Sequence, residues 1–110
     1  MAITVKNCVD CGPCYPACGT STTAGGEGVT TNYYSMGTSA GTVTITYEMY
    51  SIPDKMDVYI GATLVATTGG PVSGAGTLNF SYTPASPYLC RVVVTGPSGT
   101  AWDYTIGCPV

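Results

Sequence analysis

The chain has 110 residues, the length of one ordinary domain, and 45% of them are hydrophobic, which excludes a disordered polar tail. Charged residues make up only 8%, the formal net charge is -3, and Lys6, Lys55 and Arg91 are the only basic side chains. Because nucleic acids and anionic membranes bind clustered cations, we expect neither as a partner. Such a charge-poor composition suits extracellular, fibre or virion surfaces.

The N-terminal part, residues 1–41, is rich in cysteine and small polar residues. The run from Gly19 to Gly28 consists mainly of Gly, Ser and Thr, which predicts a loop. Its weak strand candidates are Ile3–Lys6 and Thr31–Met36. No stretch of about 18 apolar residues occurs and no basic segment precedes an apolar one, so we expect neither a transmembrane helix nor a secretory signal. We predict that residues 1–41 form a cysteine-rich N-terminal arm.

From Thr42 onward the sequence alternates as β-strands do. In Thr42–Tyr50, apolar side chains occupy every second position, which predicts a half-buried strand. No window predicts a capped helix. Short strands separated by Gly/Pro turns are typical of antiparallel sandwiches and small barrels, and we predict an all-β domain over 42–110. The further predicted strands are Met56–Ile60, Thr63–Thr67, Thr77–Thr83, Leu89–Thr95 and Ala101–Ile106.

Cysteine carries the most specific local pattern in the sequence. The even count and the small core of the N-terminal arm predict disulfides. Cys90 and Cys108 flank the same predicted turn, and a bridge between them would stabilise the fold by about 3 kcal/mol. We expect the N-terminal cluster to hold two bridges, or one bridge and links to another subunit. The six residues are Cys8, Cys11, Cys14, Cys18, Cys90 and Cys108.

The first four cysteines also fit a metal site. Their C-x2-C-x2-C-x3-C spacing resembles a ferredoxin-type iron–sulfur run, for which Cys108-Pro109 offers a distant Cys-Pro. However, Cys18 is followed by Gly19 rather than proline, and no second run is present. Four thiolates also bind zinc, although these are packed too closely for the usual intervening loop. We favour disulfides and expect no cofactor, with iron–sulfur or zinc as alternatives.

The sequence contains no histidine, which removes histidine-based triads and the commonest metal ligand. We interpret the carboxylates as turn and edge residues rather than as a catalytic pair, and therefore predict that the protein is not an enzyme. Asp54 follows Ile52-Pro53 and is most simply a turn former. The acidic residues are Asp10, Glu27, Glu48, Asp54, Asp57 and Asp103.

Tyrosine is abundant, with nine residues. Tyr47, Tyr82, Trp102 and Tyr104 fall on predicted apolar faces, where we expect them in the core. Five other tyrosines fall on polar faces or in loops, and exposed tyrosines are enriched in protein interfaces and on sugar-binding surfaces. The interface candidates are Tyr33, Tyr34, Tyr50, Tyr59 and Tyr88.

Short segments from Thr42 onward are similar to those of a known kind of module. They are Tyr47-Glu48-Met49-Tyr50, Ile52-Pro53-Asp54, Val58-Tyr59, Thr67-Thr68-Gly69-Gly70 and Ser98–Ile106 followed by Cys108-Pro109. Through these segments the sequence resembles a module of bacterial and phage surface proteins. The resemblance implies a jelly-roll or immunoglobulin-like β-sandwich, similar to proprotein-convertase-type and carbohydrate-binding-like modules, and it leaves out the N-terminal arm.

A small, charge-poor, Tyr- and Thr-rich module of this kind looks like a virion protein of a tailed phage. We expect a capsid decoration (cement) protein that binds capsid subunits and assembles as a homo-oligomer, for example a trimer. A tail, baseplate or fibre subunit is the alternative within that class. Outside it, the alternatives are a carbohydrate-binding module, which needs an exposed aromatic platform, and a small iron–sulfur protein.

Overall fold

The computed structural model describes residues 15–19 and 23–110. Within this part of the chain the protein is all-β and contains no helix, as predicted. The predicted strands from Thr42 onward are confirmed to within two residues at every end, while the candidate Ile3–Lys6 lies outside the described residues. The strands are β1 (Thr23–Gly25), β2 (Gly28–Ser35), β3 (Gly41–Glu48), β4 (Lys55–Ile60), β5 (Thr63–Thr67), β6 (Ala75–Tyr82), β7 (Leu89–Gly96) and β8 (Trp102–Ile106).

The strands form two four-stranded antiparallel sheets that pack face to face. The first sheet has the order β1-β8-β3-β6 and the second the order β2-β7-β4-β5. Four of the antiparallel pairs are nested: β1 with β8, β2 with β7, β3 with β6, and β4 with β5. In a nested arrangement each pair of strands encloses the next pair along the chain, as in one long hairpin that folds over on itself. Most contacts between strands therefore join residues that are far apart in sequence.

The core lies between the sheets and is built from the alternating positions that the sequence indicates. Val43 and Ile45 of β3, for example, are fully buried while Thr44 and Thr46 between them are exposed. Trp102, Tyr104 and Tyr82 are buried as predicted, whereas Tyr47 is only partly buried. Burial of such side chains contributes roughly 25 cal/mol per Å² of apolar surface, which makes this layer the main source of stability.

Strands β1 and β2 precede Thr42, in the part of the chain that we assigned to the arm. Thr23 of β1 pairs with Tyr104, and β2 pairs along its whole length with β7. The short β1 lies within the Gly/Ser/Thr run for which the sequence predicts a loop. Gly25 explains part of the difference, because a Cβ atom there would lie 2.3 Å from Cζ2 of Trp102. The absence of a side chain therefore lets β1 lie against the indole.

One end of the sandwich is closed by the segment Pro16–Gly19. The Cys18 amide donates to the Ser35 carbonyl at the end of β2, and the Gly19 amide donates to the Ile106 carbonyl at the end of β8. A disulfide joins Cys18 to Cys108. This segment thus ties together the two sheets, since β2 and β8 belong to different ones.

Candidate functional site

A row of large side chains crosses the outer face of the second sheet. Tyr33 of β2 pairs with Arg91 of β7, Arg91 with Tyr59 of β4, and Tyr59 with Leu64 of β5. Alternation places all of these on the solvent side, because their strand neighbours Tyr34, Cys90 and Val58 are buried. Tyr33 is 39% exposed and Leu64 48% exposed. We call the row Tyr33, Arg91, Tyr59 and Leu64 the Tyr/Arg surface.

Arg91 is held at the centre of this surface by an aromatic ring. Its guanidinium carbon lies 4.2 Å from the ring centroid of Tyr59, the geometry of a cation–π contact. Among the described residues, Lys55 forms an ion pair with Asp57 at 3.4 Å, whereas Arg91 forms none with a carboxylate. The stacked guanidinium consequently keeps a planar set of N–H donors for a partner.

A groove of about 370 Å³ adjoins the Tyr/Arg surface. Its walls are mostly apolar, and Tyr33 and Arg91 supply the polar groups. At its edge the Tyr15 ring lies 5.5 Å from the Tyr33 ring, tilted by 49°. The groove can therefore take an apolar side chain whose charged or polar end meets Arg91. It is lined by Tyr33, Gly61, Ala62, Pro87, Leu89 and Arg91.

The outer face of the first sheet has the opposite charge. Glu48 of β3 pairs with Asp103 of β8, so two carboxylates are cross-strand neighbours. Tyr50 lies beside them: its hydroxyl donates to Asp103 Oδ2 and its amide donates to Glu48 Oε2. The side chain of Tyr50 is 51% exposed and its backbone has a positive φ of 56°. We call Glu48, Tyr50 and Asp103 the acidic surface.

The neighbouring acids change the pKa of the Tyr50 phenol. The hydrogen bond to Asp103, together with desolvation and the negative charges of Asp103 and Glu48, raises the pKa of Tyr50 above its ordinary value of 10.0. Ionising the phenol would remove the donor and put a third negative charge beside the two acids. At neutral pH the hydroxyl of Tyr50 is therefore neutral and available as a hydrogen-bond donor.

Asp54 is a buried carboxylate at the turn between β3 and β4. Its Oδ1 atom accepts from the Thr100 hydroxyl at 2.6 Å, and its backbone pairs with Val72. A Cβ atom on Gly96 would lie 2.2 Å from that oxygen. Oδ2 has no hydrogen-bond partner among the described residues. Asp54 is more than the surface turn former that we expected, since it joins the turn before β4 to the loop before β8.

The cysteine pairing differs from the expected one. Cys108 is bonded to Cys18, 90 residues earlier, and not to Cys90, which is a free and fully buried thiol. Cys90 points inward from β7, while Cys108 follows β8 at the end where the Pro16–Gly19 segment crosses. The expected Cys90–Cys108 bridge is therefore wrong. Cys8, Cys11 and Cys14 lie outside the described residues.

Metal binding by the described residues has little support in the geometry. No group of three or more Cys, Asp or Glu side chains in residues 15–19 and 23–110 is arranged around a common point. With Cys18 in a disulfide, its sulfur is not available as a thiolate ligand for the C-x2-C-x2-C-x3-C run.

The five tyrosines proposed as interface residues divide into two groups. Tyr33, Tyr50 and Tyr88 are exposed and Tyr59 is partly exposed. Tyr34 is only 1% exposed, which corrects its assignment to a polar face. Its hydroxyl lies 2.7 Å from that of Tyr104 and 2.7 Å from Oγ1 of Thr23, inside the sandwich. The alternation of β7 was the signal that would have placed Arg91, which is partly exposed, on the same outer face as Tyr33.

No protein-family model, curated protein or solved structure matches the chain. The part that the structure describes contains no helix with the length and apolarity needed to cross a membrane. By its architecture the chain is an all-β protein of two packed antiparallel sheets, with an aromatic and basic row on one outer face and an acidic pair on the other.

Proposed function

We propose that this protein is a non-catalytic structural module that binds a protein partner through the Tyr/Arg surface. The observation that carries the proposal is the row Tyr33, Arg91, Tyr59 and Leu64 across a rigid sheet. Tyr and Arg, together with Trp, are enriched among the residues that contribute most of the binding energy at protein interfaces. Their backbone is fixed by strand pairing, so little conformational entropy is lost when a partner binds.

A jelly roll is the finer fold that we propose for the sandwich. Jelly rolls consist of eight strands in two sheets with Greek-key connections. The nested pairing of β1 with β8, β2 with β7, β3 with β6 and β4 with β5 supports this arrangement over an immunoglobulin-like one. Capsid and lectin domains both use jelly rolls, so the fold leaves the choice between them to the surface chemistry.

The surface chemistry favours a protein over a sugar as the partner. A sugar-binding platform needs free aromatic ring faces beside polar side chains. Here the Arg91 guanidinium covers one face of Tyr59, and Tyr15 packs against Tyr33. The neighbouring groove is lined mainly by apolar groups, including Ala62, Pro87 and Leu89, which offer no hydrogen bonds from their side chains to sugar hydroxyls.

The contacts of the carboxylates agree with a structural rather than a catalytic role. Asp54 accepts a hydrogen bond from Thr100, and Asp57 lies 3.4 Å from Lys55 and accepts a hydrogen bond from Thr67. We therefore propose that the protein is not an enzyme. Two roles suggested by the sequence agree with a non-catalytic binding module. One is a capsid decoration protein of a phage, and the other is a tail, baseplate or fibre subunit.

The proposal is tested by photo-crosslinking at the Tyr/Arg surface. Tyr33 is replaced by p-benzoylphenylalanine in the organism that makes the protein, and the products are identified by mass spectrometry. We expect crosslinks to one defined peptide of a protein partner. The matched control carries the same residue at Ser98, in the exposed turn before β8, and is expected to give no such product. Equal yields from the two positions, or binding of the wild type to a glycan array, would overturn the proposal.

A further inference from the structure

We propose that the partner seated on the Tyr/Arg surface is a second copy of this chain, which docks by its acidic surface. The inference rests on the proposed function of the Tyr/Arg surface and names its occupant. Each copy carries both halves of the contact. Arg91 of one copy would face Glu48 and Asp103 of the next, and Tyr50 of that copy would lie against the apolar groove beside Tyr33 of the first.

The two surfaces match in charge and in chemical type. Arg91 has no carboxylate within 4.0 Å among the described residues, and Glu48 and Asp103 have no basic partner there. A guanidinium stacked on Tyr59 presents paired N–H donors, which suit a carboxylate. The Tyr50 ring, exposed beside the acids, supplies apolar area for the groove next to Tyr33.

Nearby charges on the same sheet do not cancel Arg91. Asp57 lies one row away on the outer face of β4, where it is paired with Lys55 and accepts a hydrogen bond from the Thr67 hydroxyl at 2.6 Å. Its charge is therefore already balanced locally. The low charge content of the chain limits electrostatic repulsion between copies. In addition, salt at physiological concentration screens charges that are separated by more than about 8–10 Å.

The geometry fixes the kind of assembly. The Tyr/Arg surface lies on the outer face of the second sheet and the acidic surface on the outer face of the first, so they face away from each other. Contacts between them are head-to-tail rather than two-fold symmetric. Head-to-tail contacts either close into a ring or continue as a filament. Surfaces that face in opposite directions favour a filament over a closed three-membered ring.

Charge exchange provides the test, measured by sedimentation velocity over a range of protein concentrations. We expect wild-type protein to associate, and Arg91→Glu to weaken that association by at least about tenfold. The double variant Glu48→Lys with Asp103→Lys should have the same effect. Glu27→Lys, an acid-to-base change outside both surfaces, is the matched control and should associate like the wild type. Circular dichroism confirms that each variant is folded.

Mixing the two defective proteins is the decisive step. The glutamate at position 91 of one variant meets the lysines of the other, and the unchanged surfaces of the two also fit each other. We expect the mixture to recover the wild-type association constant to within about threefold. A monomeric wild type, or failure of the mixture to associate, would overturn the inference. If the wild type is monomeric and position 33 still crosslinks to a different protein, the proposed function stands and the second copy is excluded.

Discussion

The Thr100 hydroxyl donates a hydrogen bond of 2.6 Å to the fully buried carboxylate of Asp54, and the two residues are 46 positions apart. The bond joins the turn that leads into β4 to the loop that leads into β8. Gly96 makes room for the carboxylate, and the Thr100 hydroxyl also lies 3.4 Å from the Ile52 carbonyl. Two connections at the same end of the sandwich are thus held together by one acid.

Removing the hydroxyl of Thr100 should destabilise the fold more than removing its methyl group. Thr100→Val leaves the buried Oδ1 atom of Asp54 without its donor, which costs about 1–3 kcal/mol, because an unsatisfied buried acceptor is neither hydrated nor hydrogen-bonded. Thr100→Ser keeps the donor. Urea unfolding followed by tryptophan fluorescence compares the two variants. Equal midpoints would show that the carboxylate does not depend on this donor.

Loss of the Cys18–Cys108 disulfide should be among the largest stability changes available to the chain. The bridge closes a loop with a sequence separation of 90 residues, for which the chain-entropy model gives about 4–5 kcal/mol. The variant Cys18→Ala with Cys108→Ala should unfold at correspondingly lower urea concentration. A reductant should lower the midpoint of the wild type more than that of the double variant, because only the wild type has this bridge to lose. Peptide mapping without reduction should recover Cys18 linked to Cys108.

The thiol of Cys90 should remain protected up to high pH. Burial raises its pKa from 9.0 to about 12, because the thiolate would lose its hydration between the sheets. In an unfolded chain the thiol ionises near its ordinary value. The neutral thiol therefore makes its full contribution to the free energy of unfolding below about pH 9. That contribution is lost as the pH rises through the pKa of about 12 that Cys90 has in the folded protein.

Two measurements test that protection. Iodoacetamide labelling at pH 8.5, located by peptide mass spectrometry, should modify Cys90 only after denaturant is added. In the variant Cys90→Ala, the decrease of unfolding free energy between pH 9 and 12 should be smaller than in the wild type by up to about 1.4 kcal/mol per pH unit. The contributions of Tyr82 and Tyr104, whose pKa values are also raised by burial, remain in both proteins. An identical slope in the two proteins would contradict the assignment.

Adjacent glycines should respond very differently to alanine. A Cβ atom at Gly25 would meet Trp102 at 2.3 Å, so Gly25→Ala must displace the indole or detach β1, at a cost of about 1–3 kcal/mol. At Gly26 the nearest atom is the Thr100 carbonyl oxygen at 3.5 Å, an ordinary contact. Gly26→Ala is therefore the matched control. The tryptophan emission spectrum should shift to longer wavelength in the first variant and stay unchanged in the second.

Much of the sandwich could be predicted because alternation with a period of two directly encodes which face of a strand is buried. It located β3 through β8 and placed Trp102 and Tyr104 in the core. The alternation failed at Tyr33-Tyr34, because with two consecutive tyrosines the sequence does not show which of the two faces the core. The pairing of β2 with β7 places Tyr34 inside the sandwich and Tyr33 on the outer face.

The candidate site depends on relationships that local patterns do not contain. Glu48 and Asp103 become neighbours only because β3 pairs with β8, and Tyr33 meets Arg91 only because β2 pairs with β7. The cysteine pairing has the same origin, since Cys18 reaches Cys108 across the end of both sheets. Each of these contacts follows from strand order, which separate segments of sequence leave undetermined.

The Cys18–Cys108 bridge also determines how the molecule carries mechanical load. Its two Cα atoms are 5.0 Å apart, and all eight strands lie in the covalent loop between them. Tension applied between Pro16 and Pro109 therefore passes through the sulfur–sulfur bond, and the sheets are bypassed. A pulling experiment on the oxidised protein should show almost no lengthening before covalent rupture, and the reduced protein should extend by the contour length of the released loop. Load applied through the residues that flank the bridge would therefore leave the sandwich folded.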